Sequence, residues 1–454
     1  EIFHTLQKKS KEERVFQEKS VSLHSILFIH YIKESNMEIK RDIHLNRIIA
    51  RKGNGMIKVI TGIRRCGKSY LLFTLFTNYL KSQGVDEQHI IKVDLEDRRN
   101  AFLRNPDALL KHIDSKFVDS QMHYILLDEV QLVPEFEDVL NSYLKITNAD
   151  VYVTGSNAKF LSKDVITQFR GRGDEIKITP LSFQEFTSVK EGNREDLLNE
   201  YLTYGGLPQV VTMNETNRKV EYLKNLFTHT YLRDIKERYT ILKDDDLEEL
   251  ITLVASNIGS LTNPAKLANS FKSIKQSNLS QDTIKSYLDL LQDAFLIEKS
   301  VRYDIKGKKY ISTPSKYYFS DLGLRNARLN FRQTEFTHLL ENAIYNELRL
   351  RGLSVDVGQV PISKTDADGK RKQSMLEVDF VCNQGFKRYY IQVAYALPTQ
   401  DKIDQEMNSL LKIKDGFTKY VIVGTPTPTY QNDDGIIIMN VYDFLMNSNS
   451  LNIL

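Results

Sequence analysis

Short apolar runs alternate with longer amphipathic stretches from residue 56 to residue 181. Residues 56–62 (MIKVITG) form a β-branched run closed by glycine, and 70–80 (YLLFTLFTNYL) carry apolar residues at helical spacing. The predicted order is strand, loop, helix. Residues 90–95 (IIKVDL), 123–128 (HYILLD), 150–155 (DVYVTG) and 175–181 (EIKITPL) are four further buried-strand candidates. Helical patterns at 106–118 and 135–147 lie between them. Continuous apolar strands alternating with helices predict an α/β fold, a parallel sheet covered on both faces.

The pattern then changes. Residues 185–243 read as helical, broken by YGGLP at 204–208. LEELITLVASNIG (247–259), PAKLANSF (264–271) and SQDTIKSYLDLLQDA (280–294) predict three helices. Asn263-Pro264 and Ser280 are natural starts, because Pro suits the first helical turn and Ser caps it. Two strand-like runs follow, FLIEKSVRY (295–303) and KKYISTPSKYYFS (308–320), joined by a basic turn at 306–309. Three helices and a hairpin make the winged-helix order. Residues 337–352 read as a helix, and 377–382, 388–395 and 419–423 as strands of a third α/β unit.

The expected division is an N-terminal extension at 1–36, a core at 37–184, a helical region at 185–245, a winged-helix-like part at 246–330 and a C-terminal part at 331–454. Position 1 is Glu1, residues 1–20 are polar and lysine-rich, and Met37 opens a segment that reads like a start. Residues 1–36 are therefore expected to lie outside the functional fold; an ordinary N-terminal helix is the alternative.

Composition narrows the class. The chain has 454 residues, 41% hydrophobic and 27% charged, enough for several globular cores. A net charge of +3 permits a local basic face but does not select a nucleic-acid partner. Two cysteines, Cys66 and Cys382, cannot build a disulfide framework and fit a reducing cytoplasm. No apolar run reaches the roughly 18 residues of a membrane span, so no membrane partner is expected.

The candidate chemistry sits at the strand ends. Gly62-Ile63-Arg64-Arg65-Cys66-Gly67-Lys68-Ser69 fits G-x-x-x-x-G-K-[ST] between a strand and a helix, the context that motif requires. The glycines let backbone N–H groups face phosphate oxygens, and the helix adds its positive end. Lys68 is placed to bridge the β- and γ-phosphates of ATP, and the Ser69 hydroxyl to ligate Mg²⁺. Tyr70 completes the expected binding set. Asp128 and Glu129 end an apolar strand. Asp128 is expected to hold Mg²⁺ through water and Glu129 to polarise the attacking water. Ser156 or Asn157, after the next strand, can reach the γ-phosphate or the water. Arg172, ahead of Arg170, is the candidate arginine finger; acting in trans, it requires a homo-oligomer. Cys66 inside the loop can make it oxidation-sensitive, or can simply be a small residue that fits.

Taken together, GIRRCGKS, LLDEVQ, TGSNAKFLS, FRGR…ITPLSFQEF, YLTYGGLPQVV, YYFSDLGLRN and EVDF resemble the AAA+-like ATPases of archaea and bacteria that carry a C-terminal domain of unknown function. The resemblance covers about 40 to 450. It implies ATP binding, a P-loop NTPase parallel sheet, a helical and winged-helix region, and a C-terminal restriction-endonuclease-like α/β domain. A nuclease of that kind needs a helix carboxylate, a strand Asp, and acid-x-Lys on the next strand. Glu341 and Asp379 match the first two. Gln392 and Ala394 stand at the third, so metal-dependent cutting is not expected. Lys272, Lys275, Lys285, Lys306, Lys308 and Lys309 can meet DNA phosphates. No His and Cys cluster suggests zinc. Three functions compete: an ATPase whose nucleotide state moves C-terminal interaction or DNA-linked domains, a nucleic-acid-binding module with ATP as a structural ligand, and an ATP-gated nuclease. Glu129 favours the first.

Overall fold

The runs read as strands join edge to edge, and the three inner ones are buried on both faces. In the computed structural model these are β1 (Ile57–Thr61), β2 (Ile90–Asp94), β3 (His123–Asp128), β4 (Ala149–Thr154) and β5 (Gly173–Lys177). They lie in the order β2-β3-β4-β1-β5, and every adjacent pair is parallel. The structure describes residues 38–155, 169, 171–238, 244–275, 279–332, 335–365 and 371–452. The extension expected at 1–36 lies outside them. Side chains alternate across a strand. Ile57, Val59, Ile125, Leu127, Val151 and Val153 therefore share one face, with Leu109, Ile113, Val139 and Leu140 of helices Pro106–Asp114 and Phe136–Tyr143 in the same core. Parallel pairing brings all five carboxyl ends to one edge, where binding loops gather in such sheets.

Helices dominate from 183 to 293. Phe183–Thr187 opens with a capping box, Ser182 Oγ accepting from the Glu185 N–H and the Glu185 carboxylate from the Ser182 N–H. The three later helices are Asp244–Ser256, Pro264–Lys275 and Gln281–Asp293. Both expected starts hold: Asn263 Oδ1 accepts from the Ala265 N–H at 2.9 Å and Ser280 Oγ from the Thr283 N–H at 3.0 Å.

The hairpin does not stand apart as a wing. Its strands are β6 (Ile297–Asp304) and β7 (Lys309–Phe319). The C-terminal strands are β8 (Ser354–Thr365), β9 (Arg371–Gln384), β10 (Lys387–Ala394), β11 (Thr418–Val423), β12 (Tyr430–Gln431) and β13 (Ile436–Asn440). β6 pairs in parallel with β8 through Arg302–Asp304 and Val357–Gln359. The result is one eight-stranded mixed sheet of order β12-β13-β11-β10-β9-β8-β6-β7. The division expected at 330 thus runs through a single hydrogen-bonded sheet. Periodicity identifies strands but not their partners, which is why the sequence suggested two bodies. Helices Phe336–Leu350 and Gln400–Leu411 pack on this sheet.

YGGLP and SDLGLRN meet across the middle of the chain. Asp321 Oδ2 accepts from the Gly206 N–H at 2.8 Å and Oδ1 from the Leu324 N–H at 3.0 Å, and the Leu207 and Gly323 N–H groups also reach this carboxylate. Burial pushes the carboxyl up to about 6, opposed by these backbone donors. Packing here leaves no room for a side chain. A Cβ on Gly206 would come within 2.3 Å of the Leu181 carbonyl oxygen, and one on Gly323 within 2.1 Å of the Tyr204 oxygen. Asn326 Nδ2 donates to the Leu202 and Thr203 carbonyls at 3.0 and 2.8 Å, capping helix Arg194–Tyr204. Asp321→Asn puts an N–H₂ group against N–H donors, and Gly206→Ala forces the contact with Leu181. Each should destabilise the fold by about 2–4 kcal/mol, read as a lower urea midpoint; midpoints equal to the parent's would contradict this packing.

Candidate nucleotide-binding site

β1 ends at Thr61, and the chain turns through Gly62–Gly67 into the helix that begins at Lys68. The turn requires its glycines. Gly62 has φ +142° and Gly67 φ +96°, and a Cβ on Gly62 would lie 2.1 Å from the Ile178 carbonyl oxygen just beyond β5. Arg65 also takes a positive φ, at the exposed crest. A loop of this form opening on a helix N-terminus presents backbone N–H groups to an anion. Lys68 is buried, and its Nζ donates to the Gly62 and Ile63 carbonyls at 3.1 and 3.3 Å. The ammonium therefore already lies inside the loop.

β3 and β4 bring their ends to the same edge. Thr154 Oγ1 donates to Asp128 Oδ1 and accepts from the Glu129 N–H at 3.0 Å. The Ser69 hydroxyl also hydrogen-bonds Asp128. Burial pushes the Asp128 carboxyl up, while the Thr154 and Ser69 hydrogen bonds pull it down. Glu129 is half-buried, accepts from Gln131 Nε2 and has φ +52°. That conformation is uncommon for a residue with a side chain, and such strain clusters at functional positions. Asp94 ends β2 in register with Asp128. Beside the loop, Arg64 Nη2 meets Glu96 Oε1 at 3.3 Å, and Tyr70 is 40% exposed.

Two residues not anticipated from the sequence hold the loop. Arg41 is buried just ahead of helix Asp42–Ile49. Its Nη1 donates to the Cys66 carbonyl at 2.9 Å, Nη2 to the Thr179 carbonyl at 2.6 Å and Nε to Glu185 Oε1 at 3.0 Å. Tyr231, in the helical region, donates its hydroxyl to the Arg64 carbonyl at 2.6 Å. A lone arginine before an apolar run and a tyrosine in a helical pattern carry no local signal of this role. Cys66 is fully buried with Sγ 3.7 Å from the Ile178 carbonyl oxygen, so it packs the loop and is closed to reagents.

Arg172 is exposed and immediately precedes β5, its carbonyl accepting from the Ile57 N–H at 2.9 Å. Ile57 begins β1, so Arg172 stands at the opposite end of that strand from the phosphate loop, about 16 Å away at strand rise. It does not join the loop within one chain. Ser156, Asn157 and Arg170 lie outside the described residues.

The other candidates sort as follows. Lys285 pairs with Asp282 at 3.2 Å and Lys306 donates to the Pro361 carbonyl at 2.8 Å, so these two are engaged within the protein. Glu341 and Asp379 do come together, each within reach of one lysine, whereas Gln392 turns its amide to Glu406 Oε2 at 3.3 Å. His89, Asp119 and His123 gather their ligand atoms within 4.8 Å. His123 Nδ1 is bonded to the Gln121 carbonyl at 2.8 Å and Nε2 accepts from the Val118 N–H at 3.2 Å, so neither ring nitrogen is left to bind a metal.

Comparison with known proteins agrees with this geometry. A family described as an AAA domain matches residues 54–187, and a domain of unknown function (DUF8612) matches 195–335. The unknown domain thus spans the helical middle and the hairpin. An uncharacterized protein of Haemophilus influenzae is 35% identical over 420 residues, covering 91% of this chain and 100% of the relative. An uncharacterized protein of Methanocaldococcus jannaschii is 31% identical, covering 89% of this chain and 88% of the relative. The DNA-bound ORC1 protein of Aeropyrum pernix aligns over 64% of this chain and 93% of its own, at 12% identity and a TM-score of 0.30, too loose to carry an argument. No helix among the described residues is long and apolar enough to cross a membrane. With a glycine-bounded loop on a five-stranded parallel sheet, an AAA domain matched over it and relatives matched along most of their length, the chain belongs to one family with these two uncharacterized proteins and carries an AAA-type P-loop domain.

Proposed function

We propose that the protein binds Mg-ATP on Gly62–Ser69 and hydrolyses it with its own base, Glu129. The observation that carries this reading is the junction of three strand ends on one carboxylate: Ser69 after β1, Asp128 on β3 and Thr154 on β4. A hydroxyl and a carboxylate side by side are the hard oxygen donors that Mg²⁺ takes while keeping its remaining waters. Ser69 and Asp128 would hold the ion, which would supply charge neutralisation for the phosphates.

The chain's own groups do the rest. On ATP binding the Lys68 ammonium exchanges the Gly62 and Ile63 carbonyls for phosphate oxygens, a short move because it already lies within the loop. Thr154 holds Asp128 by its hydroxyl and the Glu129 backbone by its oxygen, and so fixes the two carboxylates relative to each other. Glu129, next in the chain but turned into the left-handed region, directs its carboxylate separately from Asp128 and orients the attacking water. ATP as a structural ligand alone would need no second carboxylate at that position. Arg172, a strand length from its own loop, would act only on a neighbouring subunit's nucleotide, in a homo-oligomer.

Lys68→Ala should lose both Mg-ATP affinity and turnover. Glu129→Gln should keep the affinity while turnover falls about a hundredfold or more, as expected for removal of a general base. Equilibrium binding beside steady-state phosphate release separates the two; Glu129→Gln turning over at the parent rate would contradict the assignment.

Subunit-supplied arginine makes a separate prediction. Arg172→Ala should be slow alone and should regain turnover when mixed with Glu129→Gln, because each variant lacks a different half of a shared site. Turnover per chain that is constant on dilution, with no gain on mixing, would rule out the shared site.

A further inference from the structure

The C-terminal sheet carries a second carboxylate cluster, independent of the nucleotide site. Glu341 projects from helix Phe336–Leu350, and Glu377 and Asp379 from β9. At its centre is Lys316, from the buried half of β7 and only 2% exposed. Its Nζ lies 2.9 Å from Glu341 Oε1, 2.8 Å from Glu377 Oε1 and 3.6 Å from Asp379 Oδ1. An ammonium has three donors and no acceptor, so it suits a ring of three carboxylates.

Two of these carboxylates have further partners. Glu341 Oε1 accepts a second hydrogen bond from the Tyr318 hydroxyl at 2.7 Å, and Asp379 Oδ2 accepts from the Val393 N–H at 2.9 Å. A Cβ on Gly259 would stand 2.9 Å from Glu341 Oε2, so this side of the cluster is closed by backbone. Burial opposes the charge on Lys316, but Glu341, Asp379 and Glu377 outweigh it and hold the ammonium above its ordinary range. Burial, with the Glu341 charge beside it, pushes the Asp379 carboxyl up.

A divalent metal held by Glu341 and Asp379 does not fit this arrangement. Such an ion needs oxygen ligands at about 2.0–2.6 Å and usually keeps waters, and the space between the carboxylates contains the Lys316 nitrogen. The position from which β10 would add a carboxylate is Gln392, whose amide reaches toward the Asp379 N–H and Glu406. The position for a lysine beside the metal is Ala394, buried in the apolar core.

We propose that Lys316 is the resident cation of this cluster: it takes the place of a divalent metal, closes the C-terminal body to Mg²⁺, and ties β7 to β9 and helix Phe336–Leu350. The C-terminal body is accordingly a fixed platform and not a phosphodiesterase. A metal-type carboxylate set survives, and a lysine of its own chain occupies its centre.

Mn²⁺ titration of nucleotide-free full-length protein, followed by the electron paramagnetic signal of the free ion, tests this. Parent and Asp379→Asn should bind Mn²⁺ identically, since any weak binding near Asp128 is common to both. Lys316→Met should gain a Mn²⁺ site at least tenfold tighter than any in the parent, lost again in Lys316→Met/Asp379→Asn, and should melt higher in Mn²⁺ than in EDTA. Parent Mn²⁺ binding that disappears in Asp379→Asn would overturn the proposal, as would a folded Lys316→Met with no added Mn²⁺ affinity. If Lys316→Met fails to fold with or without metal, the parent and Asp379→Asn comparison decides alone.

Discussion

One buried guanidinium fixes where the phosphate loop can be. Arg41 donates at once to the Cys66 carbonyl inside the loop, to the Thr179 carbonyl beyond β5 and to the Glu185 carboxylate of the next helix. An arginine buried without partners would be very costly, and truncating one member of such a buried, charged network typically costs several kcal/mol. The loop is therefore pinned from outside by Arg41 and filled from inside by Lys68. A loop held in this form at a helix N-terminus offers backbone N–H groups to an anion, the feature on which the proposed function rests.

The same loop is tied to the rest of the chain. Tyr231 reaches it from the helical region through the Arg64 carbonyl, and Leu181, just past β5, donates its N–H to the Gly206 carbonyl where YGGLP meets Asp321. Farther along the sheet edge, Lys177 pairs with Glu298 of β6, and Arg349 Nε meets the same carboxylate at 3.0 Å. Arg47 caps helix Phe336–Leu350 through the Leu350 carbonyl. The C-terminal sheet is joined to the parallel sheet by the half-buried Lys177–Glu298 pair, and the chain from Arg41 to Leu454 groups as one compact unit.

The AAA-domain half was legible because its signals are local. Five apolar runs, a glycine-flanked lysine and serine, and a strand ending in two carboxylates each occupy a few consecutive residues, and the sheet required by their alternation is the one formed. In the C-terminal half the helix at 337–352 and the strands at 377–382, 388–395 and 419–423 were legible, whereas β8, β13, helix Gln400–Leu411 and the joins between strands were not. Nothing in residues 297–304 announces that their free edge pairs with 354–365, so the hairpin read as a separate wing. Long-range polar contacts were hidden for the same reason. Arg41, Thr154 and Tyr231 act on partners far away in sequence. Lys316 did leave a trace, a lysine inside the buried aromatic run SKYYF, where a charge has to find partners. Lys58, in the buried run IKVIT, follows the same rule and pairs with Asp150.

The most direct measurement of the central claim is amide hydrogen exchange across the whole chain with and without Mg-ATP. If backbone N–H groups of the Gly62–Ser69 loop bind the triphosphate, peptides covering 62–70 should slow strongly on adding Mg-ATP, with a smaller change at 128–129 and at 231. Exchange at 62–70 that is unaltered by saturating Mg-ATP, or protection confined to another part of the chain, would contradict it.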